Sequence, residues 1–146
     1  MKFFLILNLF LSALSFGGQV KDLFVFEANP KLTSSQTNLR VPLSEQLFNQ
    51  ARVMTRIQTR LSFPSHFSGT WESLEELLKD LSWLPANLEV QLVHSSLPMG
   101  YHPEDRKVYL ELLADLARFY RAENSNRLKI VFNLNDLSLV EQILEH

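Results

Sequence analysis

The sequence predicts an α/β fold in which a three-stranded parallel sheet is packed with about four helices. Short runs of branched and aromatic residues, typical of strands, alternate with longer stretches whose apolar residues recur at helical spacing. Their order is β-α-α-β-α-β-α, and strands separated by helices pair in parallel through right-handed crossovers. With 146 residues and 46% hydrophobic content, the chain has room for one domain with a substantial core.

The first half of the chain supplies one predicted strand and two predicted helices. Residues 23–26 form an apolar run that predicts a buried strand, and residues 28–42, rich in Ser, Thr, Asn and Pro, predict a loop. Ser44 is placed to cap a helix that continues to about Leu61, and Thr70 is placed to cap the next helix. The inner face predicted for the first helix consists of Leu47, Phe48, Ala51, Met54 and Ile57.

The second half supplies two strands and two helices. Residues 88–93 predict a strand, residues 95–103 contain two prolines and a glycine and predict a loop, and residues 104–122 predict a long helix. A further strand is predicted over residues 128–132. Ser138 and Glu141 have the spacing of a capping box and predict the start of a last, short helix.

The first residues have the layout of a secretory signal peptide. Lys2 is followed by an apolar run over residues 3–16, and then by Gly17 and Gly18. The run is too short for a membrane-spanning helix. We therefore expect a signal peptide over residues 1–17, a domain over residues 20–146, and a periplasmic or secreted mature protein with no membrane association. The alternative is a cytoplasmic protein in which this run is a buried strand or helix.

Composition and charge exclude several function classes. The formal net charge of −2 argues against a general nucleic-acid-binding protein, which usually has a basic face. The absence of cysteine excludes disulfides and thiolate chemistry, and no glycine-rich phosphate loop is present. The charge is uneven, however: residues 40–60 contain four arginines and one acid, whereas residues 64–98 contain five acids and one lysine. This polarity favours docking with a basic partner.

The acids of the second predicted helix lie opposite its apolar stripe. Glu72, Glu75, Glu76 and Lys79 fall at i, i+3, i+4 and i+7, while Trp71 and several leucines occupy the other side. Like charges at these spacings cost a few tenths of a kcal/mol per pair on an isolated helix, so helix stability does not explain them. The row is either an ordinary solvated face or a surface that binds a basic partner.

Catalysis is the third interpretation of these residues. His66 with Glu72 and Glu76 could form a general acid–base pair or a metal cluster. The other histidines show no ligand spacing, and no nucleophile elbow is present. We therefore expect a noncatalytic protein with no metal and no cofactor.

Residues 63–85 read FPSHFSGTWESLEELLKDLSWLP and resemble the barstar family, the small protein inhibitors of barnase-type ribonucleases. The family pattern runs Phe-Pro-x-Tyr-Phe-Gly-x-Asn-Trp-Asp-Ala-Leu and continues into an acidic helix that ends Asp-Leu-x-Trp-Leu. The matching residues are Phe63, Pro64, Phe67, Trp71, Leu74, Asp80, Leu81, Trp83 and Leu84. The departures are His66 for an aromatic residue, Ser68 for Gly, Thr70 for Asn and Glu72 for Asp.

The resemblance implies a barstar-like fold and a noncatalytic inhibitor whose acidic helix blocks the cationic active site of a basic ribonuclease. Aligned without a gap, Glu76 takes the position of the family's central acid, Glu72 that of the acid one turn earlier, and His66 that of an aromatic residue on the inhibitory loop. Glu75 and Thr70 complete the expected partner-binding residues. The alternative is a barstar-fold adaptor whose acidic face binds another basic protein.

Overall fold

The computed structural model describes residues 20–145, and the signal peptide expected over residues 1–17 lies outside them. The described part is an α/β fold built on a parallel sheet, as predicted. Its strands are β1 (Val25–Glu27), β2 (Asn38–Leu43), β3 (Glu89–His94) and β4 (Leu128–Asn133). Its α-helices include α1 (Gln50–Leu61), α2 (Trp71–Asp80), α3 (Pro103–Ala122) and α4 (Leu137–Glu145), and a short 3-10 helix, Leu134–Asp136, precedes α4. Residues 20–23, before β1, are also helical.

The sheet has four strands, so the predicted number of three is wrong. Their order is β1-β4-β3-β2, and each neighbouring pair is parallel. The additional strand is β2, which occupies the end of the segment predicted to be a loop. Pro42, which has no N–H, lies in this strand, and proline is tolerated in a strand that pairs on one side only. The polar and proline-rich composition of the segment therefore concealed an edge strand.

β1 also differs from its prediction. The strand begins at Val25, two residues after the predicted start, and Leu23 is helical. Its residues are half-buried or exposed, whereas a buried strand was expected. The reason is its position at the opposite edge of the sheet, where it pairs only with β4.

The predicted start of the first helix is also wrong. α1 is capped by Asn49, whose side chain accepts a hydrogen bond from the Arg52 amide at 3.0 Å, and Ser44 lies in a turn before it. Phe48, assigned to the inner face, is 46% exposed, and Ala51 is also exposed. The helix begins at Gln50, and its buried face consists of Val53, Met54, Ile57 and Leu61, of which Met54 and Ile57 were predicted.

The remaining elements follow the sequence closely except near the C-terminus. β3, α3 and β4 agree with their predicted ranges to within about two residues. The predicted capping box is wrong, because Ser138 and Glu141 both lie inside α4. The chain turns instead at the 3-10 helix, where the Asn133 side chain accepts a hydrogen bond from the Asn135 amide at 2.9 Å.

One hydrophobic core joins the sheet to the helices and fixes the position of α2. Leu74 and Leu78 of α2 and Leu110 and Leu113 of α3 are fully buried in this core. No helix within residues 20–145 combines the length and the apolar character needed to cross a membrane.

Candidate partner-binding site

The acidic helix α2 begins at a well-ordered cap. Thr70 has an extended backbone, and its hydroxyl oxygen accepts a hydrogen bond from the Ser73 amide at 3.1 Å, as its predicted role as N-cap requires. The Ser73 hydroxyl in turn accepts from the Ser68 amide at 3.2 Å, and the Ser68 and Thr70 hydroxyls lie 3.1 Å apart. Gly69 has a φ of 77°, a conformation that favours glycine. This polar cluster sets the direction in which α2 leaves the loop.

The loop before α2 is anchored by aromatic rings. Phe63 makes edge-to-face contacts with Phe67 at 4.9 Å and with Trp83 at 5.6 Å between ring centroids. The Trp83 indole N–H donates to the Leu61 carbonyl at 2.8 Å, which ties the end of α1 to the segment after α2. His66 is exposed between the two anchored phenylalanines. Its side chain is therefore free to contact a partner from a loop whose ends are fixed.

The carboxylates of α2 are not equivalent. Glu75 forms an ion pair with Lys79 at 3.0 Å, and the Glu75 side chain is only 29% exposed. Glu72 and Glu76 are exposed and form no ion pair among residues 20–145. The sequence placed all three in one acidic row. The structure divides the row into one neutralised carboxylate and two free ones.

Glu72 and Glu76 lie on the same side of α2, one turn apart. Four residues of α-helix advance about 6 Å along the axis, so the two side chains present negative charge at about this spacing. Glu72 also lies in the first turn, where the positive end of the helix dipole favours a carboxylate.

Beneath the carboxylates, α2 is held against α3. Trp71, predicted to be a core residue, is half-buried and lies 6.0 Å from the Tyr109 ring. Tyr120 donates its hydroxyl to the Leu78 carbonyl at 2.5 Å, and the Lys79 ammonium lies 5.3 Å from the centre of the Phe119 ring. These contacts hold α2 against α3 along most of its length.

Sequence reasoning missed the residue that holds the end of α2. Arg127 donates to the carbonyls of Leu81, Leu84 and Pro85 at 2.8, 3.1 and 2.6 Å, and also to the Leu88 carbonyl. Leu81 ends the helix with a φ of 52°, where glycine is the usual residue. A leucine where glycine usually ends a helix is a signal that another group must satisfy the last carbonyls. The sequence does not identify the residue that donates to them.

His94 belongs to the support of the site, and both of its ring nitrogens form hydrogen bonds within the protein. It is fully buried, its Nδ1 donates to the Val131 carbonyl at 2.9 Å, and its Nε2 accepts from the Tyr109 hydroxyl at 2.7 Å. Burial lowers its pKa to about 4, so the ring is neutral at pH 7. Within residues 20–145, no group of three or more histidines and carboxylates could hold a metal ion. The cluster of His66, Glu72 and Glu76 considered from the sequence is therefore not such a group.

The described fold and surface define a class: a small α/β domain that presents a fixed acidic helix beside an anchored loop. A family model described as Barstar (barnase inhibitor) matches residues 44–133, which include that loop and helix. The chain belongs to the barstar family. A search of curated proteins found no match.

The residues that the family model matches cover only part of the sheet. It begins directly after β2 and ends with β4, whereas β1 lies well before it. The matched range therefore contains β3 and β4, while β1 and β2 both precede it.

Proposed function

We propose that this protein is a noncatalytic inhibitor of a barnase-type ribonuclease and that α2 blocks the cationic active site of the enzyme. Membership of the barstar family supports this class of partner. The observation that carries the proposal is the pair of exposed, unpaired carboxylates, Glu72 and Glu76, on a helix fixed at both ends.

The chemistry of the proposed contact is phosphate mimicry. A ribonuclease binds the RNA backbone with lysine, arginine and histidine side chains, and a carboxylate accepts hydrogen bonds from the same donors. Glu76 would enter the central cationic subsite, and Glu72 would contact cations one helical turn away. Glu75 contributes less to this contact than its neighbours, because Lys79 already neutralises it.

A rigid acidic helix is suited to tight and rapid binding. Binding costs free energy when side chains and loops must be ordered, and here the cap at Thr70 and the bonds from Arg127 order the helix beforehand. Opposite charges on the two partners also accelerate their encounter at low salt. Charge complementarity of this kind is itself known from the barnase–barstar pair, so it illustrates the mechanism here and adds no independent support.

His66 and Thr70 have different roles in this proposal. His66 is exposed and would touch the ribonuclease directly from the loop. Thr70 acts by positioning α2, because its hydroxyl is used by the Ser73 amide.

An inhibition assay tests the proposed function. Increasing amounts of the purified protein are added to a barnase-type ribonuclease that cleaves a fluorogenic RNA substrate. We expect activity to fall until the two proteins are equimolar, and we expect a Glu72→Ala/Glu76→Ala variant to inhibit much less. Glu145→Ala, which removes an exposed carboxylate at the end of α4, is the matched control and should inhibit like the parent. Undiminished RNA cleavage at excess protein would contradict the proposal for the ribonuclease used.

A protein that leaves the ribonuclease active but binds another basic protein through Glu72 and Glu76 would instead be a barstar-fold adaptor. RNA cleavage distinguishes the two functions, since either partner requires the carboxylates but only inhibition changes RNA cleavage.

A further inference from the structure

α1 carries a basic face that the proposed ribonuclease contact does not use. Arg52, Arg56 and Arg60 are spaced four residues apart, so they follow one side of the helix at about 6 Å per step. They line a shallow groove of about 570 Å³ together with Thr55 and Thr59. α1 contains no acidic residue, so nothing on the helix itself offsets this charge.

The charges of this groove are largely unsatisfied. Among residues 20–145, no carboxylate lies within ion-pair distance of the three arginines. Arg56 donates one hydrogen bond to the Pro42 carbonyl at 2.5 Å, and the Arg52 guanidinium lies 4.6 Å from the centre of the exposed Phe48 ring. A guanidinium has five N–H donors, so each of these side chains retains donors for a partner.

We propose that copies of this chain associate head to tail, with the Arg52, Arg56 and Arg60 face of one copy bound to the Glu72 and Glu76 face of the next. The two faces are complementary in charge and in spacing, because each repeats every four residues on an α-helix. Within one described chain they form no ion pair with each other. A second copy supplies to each face the charges that its own chain does not.

The observations favour a second copy over a nucleic acid as the occupant. A nucleic acid has the same sign of charge as the chain as a whole, whose net charge is −2. Another copy presents the opposite charge in a compact patch. Thr55 and Thr59 lie between the arginines and are small enough to allow a second helix to approach.

This contact joins two different surfaces and is therefore not self-limiting. Each added copy leaves one basic and one acidic face free, so the assembly extends unless it closes into a ring. Exposed ion pairs are weak and are screened by salt, and we therefore expect association at low ionic strength and high protein concentration. If the proposed function holds, association also covers the carboxylates that bind the ribonuclease, so it would withhold the inhibitor reversibly.

Two complementary variants test the proposal. Arg52→Ala/Arg60→Ala removes two of the three arginines and keeps the acidic face, and Glu72→Ala/Glu76→Ala keeps only the basic face. All four positions are exposed, so thermal melts should show both variants folded. Sedimentation is measured for the parent, for each variant and for their equimolar mixture, at about 0.01 M and about 1 M salt, where the Debye length falls from about 30 to about 3 Å.

We expect the parent to form dimers and larger species at low salt and to be monomeric at high salt. Each variant alone should be monomeric, and the mixture should form one-to-one dimers that grow no further. A parent that is monomeric at both salt concentrations, or a mixture that does not associate, would overturn the proposal. So would a monomeric parent that binds a fluorescent single-stranded RNA and loses this binding in the arginine variant. None of these measurements uses a ribonuclease, so their outcome is independent of the proposed inhibition.

Discussion

Acidification should destabilise the fold through His94. In the folded protein the ring is fully buried, and its pKa is lowered from 6.5 to about 4, chiefly because burial removes the charged form from water. In the unfolded chain the ring titrates at its ordinary pKa of about 6.5. The stability that His94 contributes as a neutral residue is therefore fully present above pH 6.5, is lost as the pH falls toward 4, and changes no further below that.

The magnitude follows from the difference between the two pKa values. Each pKa unit corresponds to about 1.4 kcal/mol, so the free energy of unfolding should fall by about 2 kcal/mol between pH 7.5 and pH 5, and by about 3 kcal/mol by pH 4. Other groups titrate in the same range, among them Asp136, whose pKa is raised, mainly by burial. Their contribution must be removed by comparison with a variant.

Urea unfolding at several pH values provides the assay. His94→Gln keeps a polar side chain next to the Tyr109 hydroxyl and the Val131 carbonyl but does not titrate. The variant will be less stable at pH 7.5, but its stability should fall less steeply with acid. The difference between the free energies of unfolding of the parent and the variant should therefore change by about 3 kcal/mol between pH 7.5 and pH 4. Parallel curves would refute the reasoning, because they would mean that His94 titrates equally in both states.

Three further predictions concern the ends of α2 and of the chain. Thr70→Ala should destabilise the fold by about 1 kcal/mol through loss of the N-cap, which urea unfolding measures; no change would show that the cap is dispensable. Arg127→Met should destabilise it by about 3 kcal/mol in the same assay, since several partly buried carbonyls lose their donor; a loss below about 1 kcal/mol would contradict this. We also propose export with cleavage near Gly18, and N-terminal sequencing of native protein should find that start; an intact chain beginning at Met1 in the cytosol would disprove it.

The sequence predicts the acidic helix well because its determinants are local. Thr70 provides the cap, and Leu74, Leu77 and Leu78 recur at helical spacing, so the predicted and observed starts of α2 agree. Trp71 and Leu74 of the same helix also carry the resemblance that the family match confirms. Local signals also predict β3, α3 and β4, whose apolar runs are unambiguous.

Features that depend on distant parts of the chain are not predictable in this way. β2 is a strand because Leu39 and Val41 pair with β3, and its own composition resembles a loop. Arg127 reaches carbonyls up to 46 residues away in the sequence, so no local pattern reveals it. The difference in ion pairing between Glu75 and Glu76 is only partly predictable from the sequence. The spacing of Glu75 and Lys79 permits an ion pair, but side-chain positions decide that it forms.

The central claim is that the unpaired carboxylate of Glu76 enters a cationic site on a ribonuclease. The most direct test is the dissociation constant of the complex with a barnase-type ribonuclease for the parent, Glu76→Ala and Glu75→Ala. The two variants remove the same group from adjacent positions of one helix, and thermal melts control for folding. Glu76→Ala should weaken binding by at least about 30-fold, equivalent to about 2 kcal/mol, because the partner's cations are left buried and unpaired. Glu75→Ala should weaken it only a few-fold, since Lys79 already neutralises that carboxylate. Binding by Glu76→Ala as tight as that of the parent would contradict the claim and would make the acidic row of α2 an ordinary solvated face.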